Sequence, residues 1–172
     1  SPCQGHPNML ELPGVEMSSG SLGQGLGISV GAALAARLDG SPHRVYCLMG
    51  DGEQQEGGVW EAAMAGGHFA LDNLCAVIDR NRLQIDGLTK DVMNIEPLAD
   101  KYRSFNWHVI EIDGHSIPQI IAAFDEAKAT RGMPTVIIAD TIKGKGVSFM
   151  EDQVGWHGVA PKKEEFEIAI KE

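Results

Sequence analysis

The chain has 172 residues, a formal net charge of −10, 43% hydrophobic residues and 22% charged residues. That length suits a single domain with a substantial core. The acidic balance argues against nonspecific binding to nucleic acid or an anionic membrane, but leaves room for an anionic cofactor held by local cations.

Residues 1–19 read as an irregular segment rich in proline and glycine. Gly20-Ser21-Leu22-Gly23-Gln24-Gly25-Leu26-Gly27 leads into a helix over 28–38, whose small-residue face suits close packing on a sheet, and Gly40-Ser41-Pro42 ends it. Val45–Met49 is a continuous apolar strand of the buried, parallel kind. A helix over 59–71 and a second strand over 74–79 follow. The pattern continues with a helix over 95–105, a strand over 107–112 closed by Asp113-Gly114, and a helix over 117–130. Gly132-Met133-Pro134 then turns into a strand over 135–139. A long loop spans 143–161, and a charged helix over 162–171 is amphipathic through Phe166 and Ile170. Strands alternating with helices predict an α/β fold, a doubly wound, mostly parallel sheet with helices on both faces. No apolar run approaches the ~18 residues of a membrane span. No signal-peptide pattern opens the chain. The three cysteines Cys3, Cys47 and Cys75 show no Cys-x-x-Cys spacing, and two lie in predicted strands. That pattern favours a reducing, cytoplasmic setting.

Chemistry concentrates at two strand ends. Gly50-Asp51-Gly52 follows the first apolar run, and Asn81 follows the second. Taken singly, an Asp-Gly turn and a loop Asn are commonplace. Together, two parallel strands deliver a carboxylate and a carboxamide to the carboxyl edge of one sheet, where open α/β sheets bind ligands. Hard oxygen donors of this kind, completed by phosphate oxygens, suit magnesium on a diphosphate. Gly52 has no side chain, so its backbone N–H can approach a phosphate closely.

The spacing from Gly50-Asp51-Gly52 to Asn81 resembles the thiamine-diphosphate signature. The surrounding residues narrow the resemblance to transketolase, and to the N-terminal, diphosphate-binding half of split, two-chain transketolases. They are Pro13-Gly14-Val15-Glu16-Met17-Ser18-Ser19-Gly20-Ser21-Leu22-Gly23-Gln24-Gly25, Gly50-Asp51-Gly52-Glu53-Gln54-Gln55-Glu56-Gly57 and Asp79-Arg80-Asn81-Arg82-Leu83-Gln84-Ile85-Asp86-Gly87. Lys143-Gly144-Lys145-Gly146-Val147-Ser148-Phe149-Met150 and Gly155-Trp156-His157-Gly158 complete the match, which covers nearly the whole chain. The resemblance implies one thiamine-diphosphate domain over 1–172, lying beyond the helical stretch that precedes Gly5-His6-Pro7 in the family. Asp51, Asn81 and the backbone carbonyl of Leu83 are then the metal ligands, with magnesium, or calcium or manganese in its place. Gly52, Glu53 and Asn81 belong to the diphosphate side of the cofactor site. Gly20, Ser21 and Leu22 lie beside the aminopyrimidine ring. One residue departs from the family pattern: Arg82 stands where a glycine usually follows the metal-binding Asn.

His6 and His157 are the candidate catalytic residues. A histidine near a chain terminus or in a glycine-rich loop is ordinarily a solvated residue. The resemblance makes His6, in Gly5-His6-Pro7, a substrate contact, and lets His157 reach the diphosphate or the reacting centre. Lys143 and Lys145 read equally as solvated loop residues or as cations steering anions to the site. His43, His68, His108 and His115 read as structural or surface residues, and Trp60 and Phe69 as packing residues.

The family's reaction moves a two-carbon ketol unit from a ketose phosphate to an aldose phosphate. The glutamate that activates the cofactor lies on a pyrimidine-binding domain that this chain does not contain. The resemblance therefore implies a C-terminal partner chain, two copies of each chain in the assembly, sites at subunit interfaces, and sugar phosphates as substrates. The alternatives are the alpha subunit of a 2-oxo acid dehydrogenase, a deoxyxylulose-phosphate synthase relative and a noncatalytic cofactor binder. A phosphotransfer protein with Asp51 as nucleophile would need a second carboxylate where the chain supplies Asn81.

Overall fold

The computed structural model describes residues 4–172, so Cys3 lies outside the described residues. Six strands are assigned in chain order: β1 (Val45–Gly50), β2 (Leu74–Arg80), β3 (Leu83–Gln84), β4 (Gly87–Leu88), β5 (His108–Asp113) and β6 (Thr135–Asp140). The helices are α1 (Gly25–Leu38), α2 (Gly57–His68), α3 (Thr89–Val92), α4 (Leu98–Ser104), α5 (Ile117–Ala129) and α6 (Lys163–Ala169). Short 3-10 turns cover Gly52–Gln55 and Val154–Trp156.

Four strands form one parallel sheet in the order β1-β2-β6-β5, and β3 and β4 form a separate antiparallel hairpin. The period-two alternation of strand side chains divides the core into two layers. On one face, Cys47, Met49, Ala76, Ile78, Val136 and Ile138 pack with Leu26, Val30 and Ala33 of α1, Val59, Ala62 and Ala63 of α2, and Leu98 and Tyr102 of α4. On the other, Cys75, Val77, Ile137, Ile110 and Ile112 meet Ala123, Phe124 and Ala127 of α5. The predicted doubly wound sheet with helices on both faces is what the chain builds.

Several local departures have physical causes. The first helix begins at Gly25 rather than residue 28. Of its glycines only Gly25 approaches the sheet, with Cys47 Sγ 3.5 Å from where its Cβ would be, whereas Gly27 and Gly31 face open space. The helix predicted from residue 95 starts at Leu98, because Pro97 occupies its cap and the residue before a proline is pushed out of helical geometry. Ile85-Asp86 closes the β3–β4 hairpin, which no periodicity in the sequence announces. The strand β1 is buried on one face only. Tyr46 and Leu48 are 48% and 76% exposed, because β1 is an edge of the sheet and α5 meets it only at its margin, where the Phe124 ring packs on Tyr46 at 5.7 Å.

Close backbone approach decides the seat of α2. A Cβ on Gly67 would lie 1.7 Å from the Phe105 carbonyl oxygen, and one on Gly66 would lie 2.8 Å from the Trp107 ring. Trp107 Nε1 donates to the Ala63 carbonyl at 2.8 Å, so the indole locks strand β5 to the helix beside the site.

Candidate cofactor and metal site

Parallel pairing of β1 with β2 sets Gly50 opposite Asp79, and the Asp51 N–H donates to the Asp79 carbonyl at 3.1 Å. This register brings Asp51 and Asn81, thirty residues apart in sequence, to the same carboxyl edge. Asp51 is 1% exposed. Its Oδ1 accepts the Gly52 N–H at 2.8 Å and its Oδ2 accepts the Arg82 N–H at 2.6 Å. Burial pushes the Asp51 carboxyl above the usual carboxylate range, and these two N–H groups hold it back only in part. A buried carboxylate so disfavoured in its charged form is one that a cation would relieve.

Asn81 is oriented from both sides. Its Nδ2 donates to Asp79 Oδ1 at 3.3 Å and its Oδ1 accepts the Leu83 N–H at 3.0 Å. The same Asp79 oxygen accepts the Thr141 hydroxyl, which ties the loop to the end of β6. Leu83 is buried at the start of the hairpin, directly after Arg82. Arg82 has φ +63°, the left-handed conformation that makes glycine the easy choice there. Its backbone is held by the N–H bond to Asp51, and its guanidinium by Asp140 at 2.8 Å. The departure from glycine therefore leaves the loop conformation in place.

The loop that carries Asp51 rests on a buried polar network that the sequence does not announce. Gln54 is 1% exposed and Tyr102 fully buried. The Tyr102 hydroxyl donates to Gln54 Oε1 at 2.7 Å, Gln54 Nε2 donates to the Gly50 carbonyl at 3.1 Å, and Trp60 Nε1 donates to the Gln54 carbonyl at 2.9 Å. Helices α2 and α4 thus fix the turn on either side of the carboxylate. No signal in the sequence marks this network, because Gln54 and Tyr102 lie 48 residues apart.

The Gly20-Ser21-Leu22 turn is held against the segment before it. The Ser19 N–H donates to the Pro7 carbonyl at 3.2 Å, which lays Gly5-His6-Pro7 along Ser18-Ser19-Gly20. A Cβ on Gly20, at φ +153°, would meet the His6 ring at 2.9 Å. His6 and Gly20 are therefore in contact, with Ser21 and Leu22 exposed beside them. Gly23, next in the turn, donates its N–H to Glu53 Oε1 at 3.0 Å. The turn and the Asp51 loop are thus joined directly.

A cleft of about 500 Å³ opens between the ends of β2, β5 and β6, lined by Asp79, Asn81, His115, Thr141, Lys143 and Lys145 among others. His115 is structural in part, since its Nε2 accepts the Ile142 N–H at 2.8 Å. His157 is exposed and does not line this cleft. It follows the Val154–Trp156 turn, which is pinned by Trp156 Nε1 donating to the Phe149 carbonyl at 3.1 Å.

Among the described residues, no group of three or more His, Cys, Asp or Glu side chains gathers to hold a metal. A metal at this edge relies on one carboxylate, one carboxamide and backbone or phosphate oxygens, a set suited to magnesium with a diphosphate. Gly52 supports that fit, because a Cβ there would lie 2.9 Å from the Gln84 side chain and the narrow cradle admits only hydrogen. The residues present fit the group.

The chain is similar to known proteins over nearly its whole length. The chain is 48% identical to one subunit of the apulose-4-phosphate transketolase of Phocaeicola vulgatus, over 98% of this chain and 59% of that protein. It is 45% identical to 6-deoxy-6-sulfo-D-fructose transketolase subunit SqwG of a Clostridium species, over 97% of this chain and 61% of that protein. The crystal structure of transketolase from Campylobacter jejuni superposes with a TM-score of 0.91 at 34% identity, over 99% of this chain and 28% of that one. The chain thus spans about 60% of the length of these two curated relatives. The family model described as "Transketolase, thiamine diphosphate binding domain" matches residues 1–172, and the chain belongs to that family.

Proposed function

We propose that this chain is the diphosphate-binding subunit of a two-chain transketolase. The observation that carries the reading is the buried Asp51 carboxylate, set beside Asn81 at the carboxyl edge of a parallel sheet. Asp51 and Asn81 hold magnesium by their side chains, and Leu83 by its carbonyl. Gly52 faces the diphosphate, once Asp51 Oδ1 turns from the Gly52 N–H to the metal. Gly20, Ser21 and Leu22 flank the aminopyrimidine ring. Bound there, thiamine diphosphate supplies the nucleophilic carbon and electron sink that cleavage beside a carbonyl needs. His6, placed against Gly20, hydrogen-bonds substrate hydroxyls, and His157 gives and takes protons at the reacting centre.

The two relatives described above are both named as transketolase subunits, which supports dependence on a second chain. That partner carries the pyrimidine-binding domain, in an assembly with two copies of each chain, working in the cytoplasm. The relatives are named for apulose 4-phosphate and 6-deoxy-6-sulfo-D-fructose, so the donor is a ketose or ketose phosphate of a class broader than the pentose phosphate pathway. The test mixes this chain with its complementing chain and assays two-carbon transfer between sugar phosphates. Activity in the mixture and none in either chain alone is expected. Full activity from this polypeptide alone overturns the split arrangement.

A further inference from the structure

We propose that Glu53 is a positioning residue that couples the two ends of the cofactor site, a role that rests on the reading of the Gly20 turn and the Asp51 loop as those ends. Its two carboxylate oxygens go to different segments. Oε1 accepts the Gly23 N–H at 3.0 Å, and Oε2 accepts the Gly50 N–H at 3.2 Å. Gly50 precedes Asp51, and Gly23 closes the Gly20-Ser21-Leu22 turn, so one half-buried side chain bridges both. Both bonds pair a carboxylate oxygen with a backbone N–H, as at a helix N-cap.

Both anchor points are stiff, so displacement at one end has somewhere to go. Glu53 lies in the 3-10 turn Gly52–Gln55, whose next residue, Gln54, is clamped by Tyr102 and by the Gly50 carbonyl. Gly23, at φ +79°, is wedged against the start of α2. A Cβ on it would lie 2.7 Å from Glu56 Cβ, and one on Gly58 would lie 3.2 Å from the Gly23 carbonyl. When the metal draws Asp51 off its present hydrogen bonds, the movement of Gly50 reaches Gly23 through Glu53. Occupation of the metal end thereby orders the turn at the other end before the ring arrives. With both oxygens engaged, Glu53 acts through these backbone groups rather than by touching the ligand.

The experiment uses hydrogen exchange on the full chain with magnesium and inorganic diphosphate, a probe that fills the metal end alone. In the parent chain, saturating probe slows exchange in the Gly20–Gln24 segment. In Glu53→Ala that protection is lost at saturation. In Glu53→Gln, which keeps the volume but sets an amide NH2 against one of the two N–H donors, it is reduced. Thiamine diphosphate affinity in the assembled two-chain protein falls roughly tenfold in Glu53→Ala, the size of one charged hydrogen bond. Protection of Gly20–Gln24 equal to the parent's in both variants overturns the coupling and leaves the metal site standing. Failure of the parent chain itself to bind magnesium diphosphate, read by calorimetry, overturns the metal site and the coupling with it.

Discussion

At the scale of single residues, the contacts of Asp51 and its neighbours make separable claims. Arg82 is held in a left-handed conformation, but its bond to Asp51 is made by the main-chain N–H. Its ion pair with Asp140 joins side chains that are 52% and 48% exposed, and such pairs contribute little. Arg82→Gly therefore shifts unfolding free energy in urea by less than about 1 kcal/mol, relief of strain offsetting the lost pair. Magnesium binding is kept. Tyr102→Phe behaves differently, because it strands the buried Gln54 Oε1 without its donor. The expected cost is about 1–3 kcal/mol in urea unfolding, and Tyr102→Phe combined with Gln54→Met recovers part of it. Asp51 and Asn81 were legible in the sequence because each follows an apolar strand that only a parallel sheet would bury. Gln54, Tyr102, Asp79 and Thr141 were not, since their roles depend on partners 48 and 62 residues away. Burial pushes the Cys75 thiol up to about 11, in keeping with its reading as a small apolar residue.

Among the elements, type and order were readable from apolar runs, while ends and short pieces depended on tertiary contact. Strand β5 starts one residue later than the apolar pattern indicates, because Trp107 turns into the core to meet α2. The β3–β4 hairpin is two residues a side, too short for periodicity to register. Helix α2 carries a more stringent requirement. Gly67→Ala places a methyl 1.7 Å from a backbone carbonyl, which no rotamer change relieves. The helix must shift off Phe105 and Trp107, and the loss of packing is expected to cost at least about 3 kcal/mol. Thermal unfolding monitored by circular dichroism checks it, with Gly31→Ala, in open space on α1, as a neutral or mildly stabilising control.

For the whole molecule, the sheet works as a platform whose carboxyl edge collects the loops after β1, β2 and β6, with the Gly20 turn joined to the first of them. The sequence made this edge legible through the spacing of its motifs. It did not reveal that β1 leaves Tyr46 and Leu48 exposed, because apolar composition alone does not say which strand is an edge. The central claim is that Asp51 anchors a magnesium diphosphate group at this edge. Calorimetric titration of the assembled protein with thiamine diphosphate, with and without magnesium, tests it most directly. Magnesium-dependent binding in the parent protein, lost in Asp51→Ala while the fold is retained by circular dichroism, is the predicted result. Binding of equal affinity in Asp51→Ala would contradict it.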